Sequence, residues 1–76
     1  MRRRMPRTEA EWREATVLAE ALLVLDSARQ YGLLAGGPVI NVDRCVAIVD
    51  EGARRGCRPT DDEIDAAAVE IAREIA

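Results

Sequence analysis

The chain has 76 residues, 14 of them acidic and 11 basic, for a net charge of −3, and every basic residue is arginine. A chain this short makes one domain and buries only about 60% of the surface its unfolded form exposes, so its core alone leaves it marginal and a second subunit is the expected supplement. With no histidine and two cysteines twelve positions apart, Cys45 and Cys57, a four-ligand structural zinc site is excluded, and neither metal nor cofactor is expected.

Residues 1–7, Met-Arg-Arg-Arg-Met-Pro-Arg, have no periodicity and are read as a flexible basic arm ahead of a single helical domain over 8–76. Thr8-Glu9-Ala10-Glu11 is a capping box: the threonine hydroxyl accepts from the third helical N–H and the glutamate reaches back. The helix it opens is predicted to run over 9–31 and to stop at Gly32, the residue best suited to a left-handed cap. Projected at 100° per residue, Ala15, Leu18, Leu22 and Leu25 form one apolar seam. Val17, Ala21, Val24, Ala28 and Tyr31 form a second beside it, and Trp12, Ala19 and Leu23 widen the surface further. Only Glu9, Thr16, Glu20 and Ser27 mark a plainly polar face. An apolar arc of roughly 200° is twice that of an ordinary surface helix and needs cover on two sides.

Residues 32–40 form a connection broken by Gly36-Gly37-Pro38, and its Leu33, Leu34, Val39 and Ile40 are expected to fold back on the core. Asn41 caps a second helix over 42–55, with Asp43 in its first turn and Arg54 and Arg55 in its last. Its apolar stripe is Val42, Cys45, Val46, Val49 and Ala53, and Gly56 ends it. After the short link Cys57-Arg58-Pro59, Thr60-Asp61-Asp62-Glu63 is another capping box. It starts a third helix over 61–75 with Ile64, Ala67, Ala68, Ile71 and Ile75 on its apolar face. The shortness of the link points to helices two and three as antiparallel neighbours that cover one seam of the long helix. The expected fold is therefore all-α: a long first helix on an antiparallel helix two/three pair, in a dimeric helical bundle.

Trp12, Leu18, Leu22, Leu25, Val46, Val49, Ile64 and Ile71 are the expected intramolecular core. The second seam, Val17, Ala21, Val24, Ala28 and Tyr31, is the expected self-association surface, because an uncovered stripe of that length would be an apolar patch of unusual size. The alternative is a monomer in which the connection over 33–40 covers that seam.

Nucleophilic catalysis needs an activated Ser, Thr or Cys beside a base, and the chain has neither His nor Lys. Ser27 sits mid-helix, and Cys45 falls on an apolar stripe as a packing thiol. Cys57 lies between Arg55 and Arg58, where nearby cations would favour the thiolate; that makes it a candidate reactive or redox-sensing thiol. The carboxylates at 61, 62, 63 and 65 open a helix and read as capping groups. They lack the central glycine and the spread of a calcium loop. No phosphate-binding glycine loop is present.

A nucleic-acid role for helix three would set its acids against phosphates, which is unfavourable. Only the arm is basic, and Arg2, Arg3, Arg4 and Arg7 are the candidate polyanion contacts, without the aromatic residues that base stacking uses. No secretory pattern and no apolar run of about 20 residues occurs, so a cytoplasmic protein with reduced thiols is expected. Arginine to the exclusion of lysine, with 13 alanines, reads as codon pressure in a high-GC bacterium or one of its phages. The expected function is that of a non-enzymatic protein–protein interaction, regulatory or accessory protein, of a kind found in phages and mobile elements, that self-associates through its first helix and meets a further protein partner. A nucleic-acid-associated regulator using the arginine arm is the alternative.

Overall fold

The computed structural model describes residues 5–37 and 39–75. Arg2, Arg3 and Arg4, three of the four candidate polyanion contacts, lie outside the described residues, as does the side chain of Ile75. The described chain is all-α, with α1 at Glu9–Gln30, α2 at Val42–Arg54 and α3 at Asp61–Ile75, each bound within one residue of the position read from the sequence.

Local chemistry sets these bounds. Thr8 Oγ1 accepts from the Glu11 N–H at 3.1 Å, while the Glu11 carboxylate accepts from the Thr8 hydroxyl and from the Arg7 N–H, each at 3.4 Å. At α3 the box is tighter. Thr60 Oγ1 accepts from the Glu63 N–H at 3.2 Å, and Glu63 Oε1 accepts from both the N–H and the hydroxyl of Thr60, at 3.0 and 3.1 Å. Asn41 Oδ1 accepts from the Arg44 N–H at 3.1 Å and opens α2. Each cap satisfies an N–H that the helix itself leaves without an acceptor.

α1 and α2 end in the same way. Gly32 and Gly56 both take φ 76°, which lets the next residue fold back. The Leu33 N–H reaches the Ala28 carbonyl at 2.8 Å, and the Cys57 N–H reaches the Gly52 carbonyl at 2.8 Å, the six-to-one bond of a Schellman turn. The outcomes differ. Cys57 is carried inward, with Sγ 4.0 Å from the Glu9 carbonyl oxygen at the start of α1, and is buried. Leu33 is left in solvent. At 1.5 Å per residue α1 is about 33 Å long against about 20 and 22 Å for α2 and α3, so its far end outruns its companions.

α1 is the central element. It packs on α2 and on α3, while α2 and α3 do not pack on one another among the described residues. The expected helix two/three pair is thus two separate flanks with α1 between them. A helix that is apolar around most of its circumference can offer both flanks its own surface.

The core has two parts for the same reason. On the α2 side, Trp12, Thr16 and Ala19 of α1 are buried, as are Cys45, Gly52 and Cys57. On the α3 side, Ala21, Leu25 and Ala68 form a cluster against which Ile71 and Ala72 pack, and Leu34 and Ile40 of the connection close over it as expected.

Several side chains depart from the sequence reading. Thr16, assigned to the polar face, is only 1% exposed. Its hydroxyl donates to the Trp12 carbonyl at 2.6 Å, which satisfies it within its own helix. A Cβ on Gly52 would collide with that hydroxyl, so α1 and α2 cross there at a distance that only glycine permits. Ala21, assigned to the self-association seam, is fully buried against α3 and belongs to the core. Leu18 and Val46, assigned to the core, are exposed, because α2 and α3 pack on α1 separately and do not close over these flanks. Trp12, Leu25 and Ile64 are buried, and Leu22, Val49 and Ile71 are half-buried.

Candidate functional site

Because α2 and α3 do not pack on one another, grooves open along α1, and two of them meet at Leu18. The first lies between α1 and α2 and encloses about 320 Å³. Ala15, Leu18 and Leu22 of α1 form its floor, and Cys45 and Ile48 of α2 form one wall. Met5 and Val39 stand at its mouth, Val39 being 97% exposed. Arg44 is the single charged residue that lines it among the described residues. The groove exists because the alanines of α1 leave a hollow that neither flank fills. Further along the same seam, Leu25 is covered by Leu34, Ile40 and α3. The seam expected to be wholly internal is therefore open in its first half and closed in its second.

The second groove, broader at about 930 Å³, lies between α1 and α3 and meets the first at Ala15 and Leu18. Val17, Leu18, Ala67 and Ile71 give it an apolar floor. Its rims are acidic: Glu11 and Glu14 on α1, and Glu63, Glu70 and Glu74 on α3, with Arg13 the one cation among the described residues. Two of these carboxylates are engaged. Glu11 closes the Thr8 box, and Glu63 closes the Thr60 box. The Glu63 carboxyl is held below its ordinary pKa by the hydrogen bonds from the backbone and hydroxyl of Thr60, with Arg13 adding a smaller attraction. Glu14, Glu70 and Glu74 are exposed and have no hydrogen-bond or ion-pair partner among the described residues.

The residues of the expected self-association seam are thus divided. Ala21 is in the core, Val17 and Ala28 are half-buried, Val24 is exposed, and Tyr31 at the far end of α1 is 82% exposed. Val42 and Val46, one turn apart on α2, are also exposed. Arg7, the described member of the arginine cluster, is exposed beside the first cap.

Cys57 is a buried residue rather than an open turn thiol. Its polar neighbours are the carbonyl oxygens of Arg55, at 3.8 Å, and Glu9. The two arginines at the end of α2 are occupied elsewhere. Both pair with Glu51, at 3.0 and 2.8 Å, and their hydrogen bonds hold that carboxyl below its ordinary pKa. The Arg55 guanidinium also lies 4.6 Å from the centre of the Trp12 ring, a cation–π contact. No disulfide joins Cys45 to Cys57. Among the described residues no group of three His, Cys, Asp or Glu side chains is arranged to hold a metal ion, and no helix is long and apolar enough to cross a membrane.

The sequence offered a signal for both grooves, the excess apolar circumference of α1, but it could not say which arc stays open. No family model, no curated protein and no solved structure matches the chain.

Proposed function

We propose that this chain is a small, non-enzymatic protein-interaction domain that self-associates through α1, with the α1–α2 groove as the contact. The observation that carries this reading is the open apolar groove of about 320 Å³, with Leu18 exposed on its floor and, among the described residues, a single charged one in its lining. Homodimer interfaces are more apolar and poorer in charge than contacts between proteins that also live apart. That composition makes a second copy the fitting occupant. A two-fold contact repeats the same patch on both partners, and Leu18, Met5 and Val39 are apolar side chains that one copy would bring to the other.

Sedimentation velocity over a concentration series tests the proposal. The expected result is a species of twice the 8.3 kDa chain mass at tens of micromolar, and conversion to single chains by Leu18→Glu with helicity unchanged. Leu18 is exposed in the single chain, and the unchanged helicity of the variant is the check that its fold is retained. Single chains throughout the series, or a dimer indifferent to Leu18→Glu, would overturn it.

A further inference from the structure

The α1–α3 groove differs in chemistry from the groove assigned to self-association, and the two need different partners. Its floor is apolar, so water on Val17, Leu18 and Ile71 is released when a side chain enters. Its rims carry carboxylates on both helices. Glu14 projects from α1, while Glu70 and Glu74 are one turn apart on α3 and form a continuous row. These three acids neither cap a helix nor pair with a cation among the described residues. Surface acids on a helix commonly pair with a basic residue one turn away, as Glu51 does with Arg54 and Arg55. Here the positions one turn from Glu70 hold Ala66, Ala67, Arg73 and Glu74; Arg73 makes no ion pair with Glu70 among the described residues and does not line the groove, so this rim presents carboxylates to it. Like charges held this close repel, and a cationic occupant relieves that repulsion.

We infer that the α1–α3 groove is a docking site for a cationic amphipathic helix of another protein. Its apolar anchors, at i, i+3, i+4 and i+7, would lie over Val17, Leu18, Ala67 and Ile71. Arginine or lysine residues on its flanks would face Glu14, Glu70 and Glu74. Helix-in-groove recognition has this division of labour, with apolar anchors for affinity and flanking charge for orientation and rate. A second copy of the chain is a poorer fit. Its described helices each carry acids in the first turn, and each helix has at least as many acids as arginines. The inference does not depend on self-association, because the groove is complete within one chain.

The test uses the full chain and a fluorescein-labelled helical peptide of about four turns, with Leu at i, i+3, i+4 and i+7 and Arg on both flanks. Fluorescence anisotropy is expected to show saturable binding that weakens as salt is raised. A peptide with the same leucines and Glu in place of Arg is expected to bind at least tenfold more weakly. The pair Glu70→Arg/Glu74→Arg should lose at least tenfold in affinity, while Asp43→Arg/Asp50→Arg, which makes the same charge change on α2, should lose less than twofold. Equal losses in the two variants would mean attraction to net charge alone and would overturn the inference, as would absence of binding. Sedimentation of the same variants separates the remaining occupant. If Glu70→Arg/Glu74→Arg changes the oligomeric state and leaves peptide binding intact, the groove is a contact between copies and the inference fails.

Discussion

Gly52→Ala isolates the closest contact between α1 and α2. On helix propensity alone the substitution should stabilise α2 by about 1 kcal/mol, since glycine in a helix interior is worse than alanine by that amount. The tertiary structure reverses the sign. The new Cβ would collide with Thr16 Oγ1 and sit 3.0 Å from Thr16 Cγ2 and 3.1 Å from Thr16 Cβ. Thr16 cannot give way cheaply: it is buried, and its hydroxyl is held by the Trp12 carbonyl. Overpacking of this kind costs about 1–3 kcal/mol, and displacing the hydroxyl adds about 1 kcal/mol for its hydrogen bond. After subtracting the propensity gain, Gly52→Ala should destabilise by about 1–3 kcal/mol. In a domain of this size that lowers Tm by roughly 5–20 °C. The partner variant Thr16→Ala removes both the hydroxyl and the methyl. The double variant should therefore recover at least about 1 kcal/mol relative to the sum of the singles, a coupling expected only of residues in contact. Urea unfolding followed by far-ultraviolet circular dichroism measures all four species. A Gly52→Ala chain more stable than wild type, or additive single effects, would refute the close crossing.

Three further outcomes follow from the packing and the caps. Ala21→Leu should cost about 1–3 kcal/mol by overpacking the cluster with Leu25 and Ala68, whereas Tyr31→Ala should stay within about 0.5 kcal/mol of wild type; thermal melts compare them. Both thiols should react with a disulfide reagent far more slowly in the native chain than in urea, since Cys45 and Cys57 are buried, and fast native labelling of Cys57 would contradict its inward turn. The Glu51 and Glu63 carboxyls are depressed in the folded chain, so the stability they contribute is fully present above the unfolded carboxylate pKa and is lost as the pH falls through their folded values. The double substitution Glu51→Gln/Glu63→Gln should therefore flatten the acid limb of a stability-versus-pH curve and leave its slope near neutrality unchanged.

The amino-acid sequence alone determined the elements of this protein, because their limits depend on interactions a few residues long. Thr8 with Glu11, Thr60 with Glu63, Asn41, Gly32 and Gly56 act through hydrogen bonds and backbone preferences that need no distant partner; all three helices begin one residue after their caps, and α1 and α2 end two residues before their glycines. The excess apolar circumference of α1 was equally legible. Its allocation was not. Helical projection treats each residue as a direction and assigns Thr16 to water and Ala21 to a partner. Burial depends on where the neighbouring helices arrive, and α2 arrives over Thr16 because Gly52 gives it room, while α3 arrives over Ala21 because Ala68 is small. The sequence left helices two and three as companions joined by a short link. Only the tertiary structure decided that they stand on separate sides of α1, and that separation leaves Leu18 at the meeting of two grooves, one nearly free of charge and the other rimmed by carboxylates.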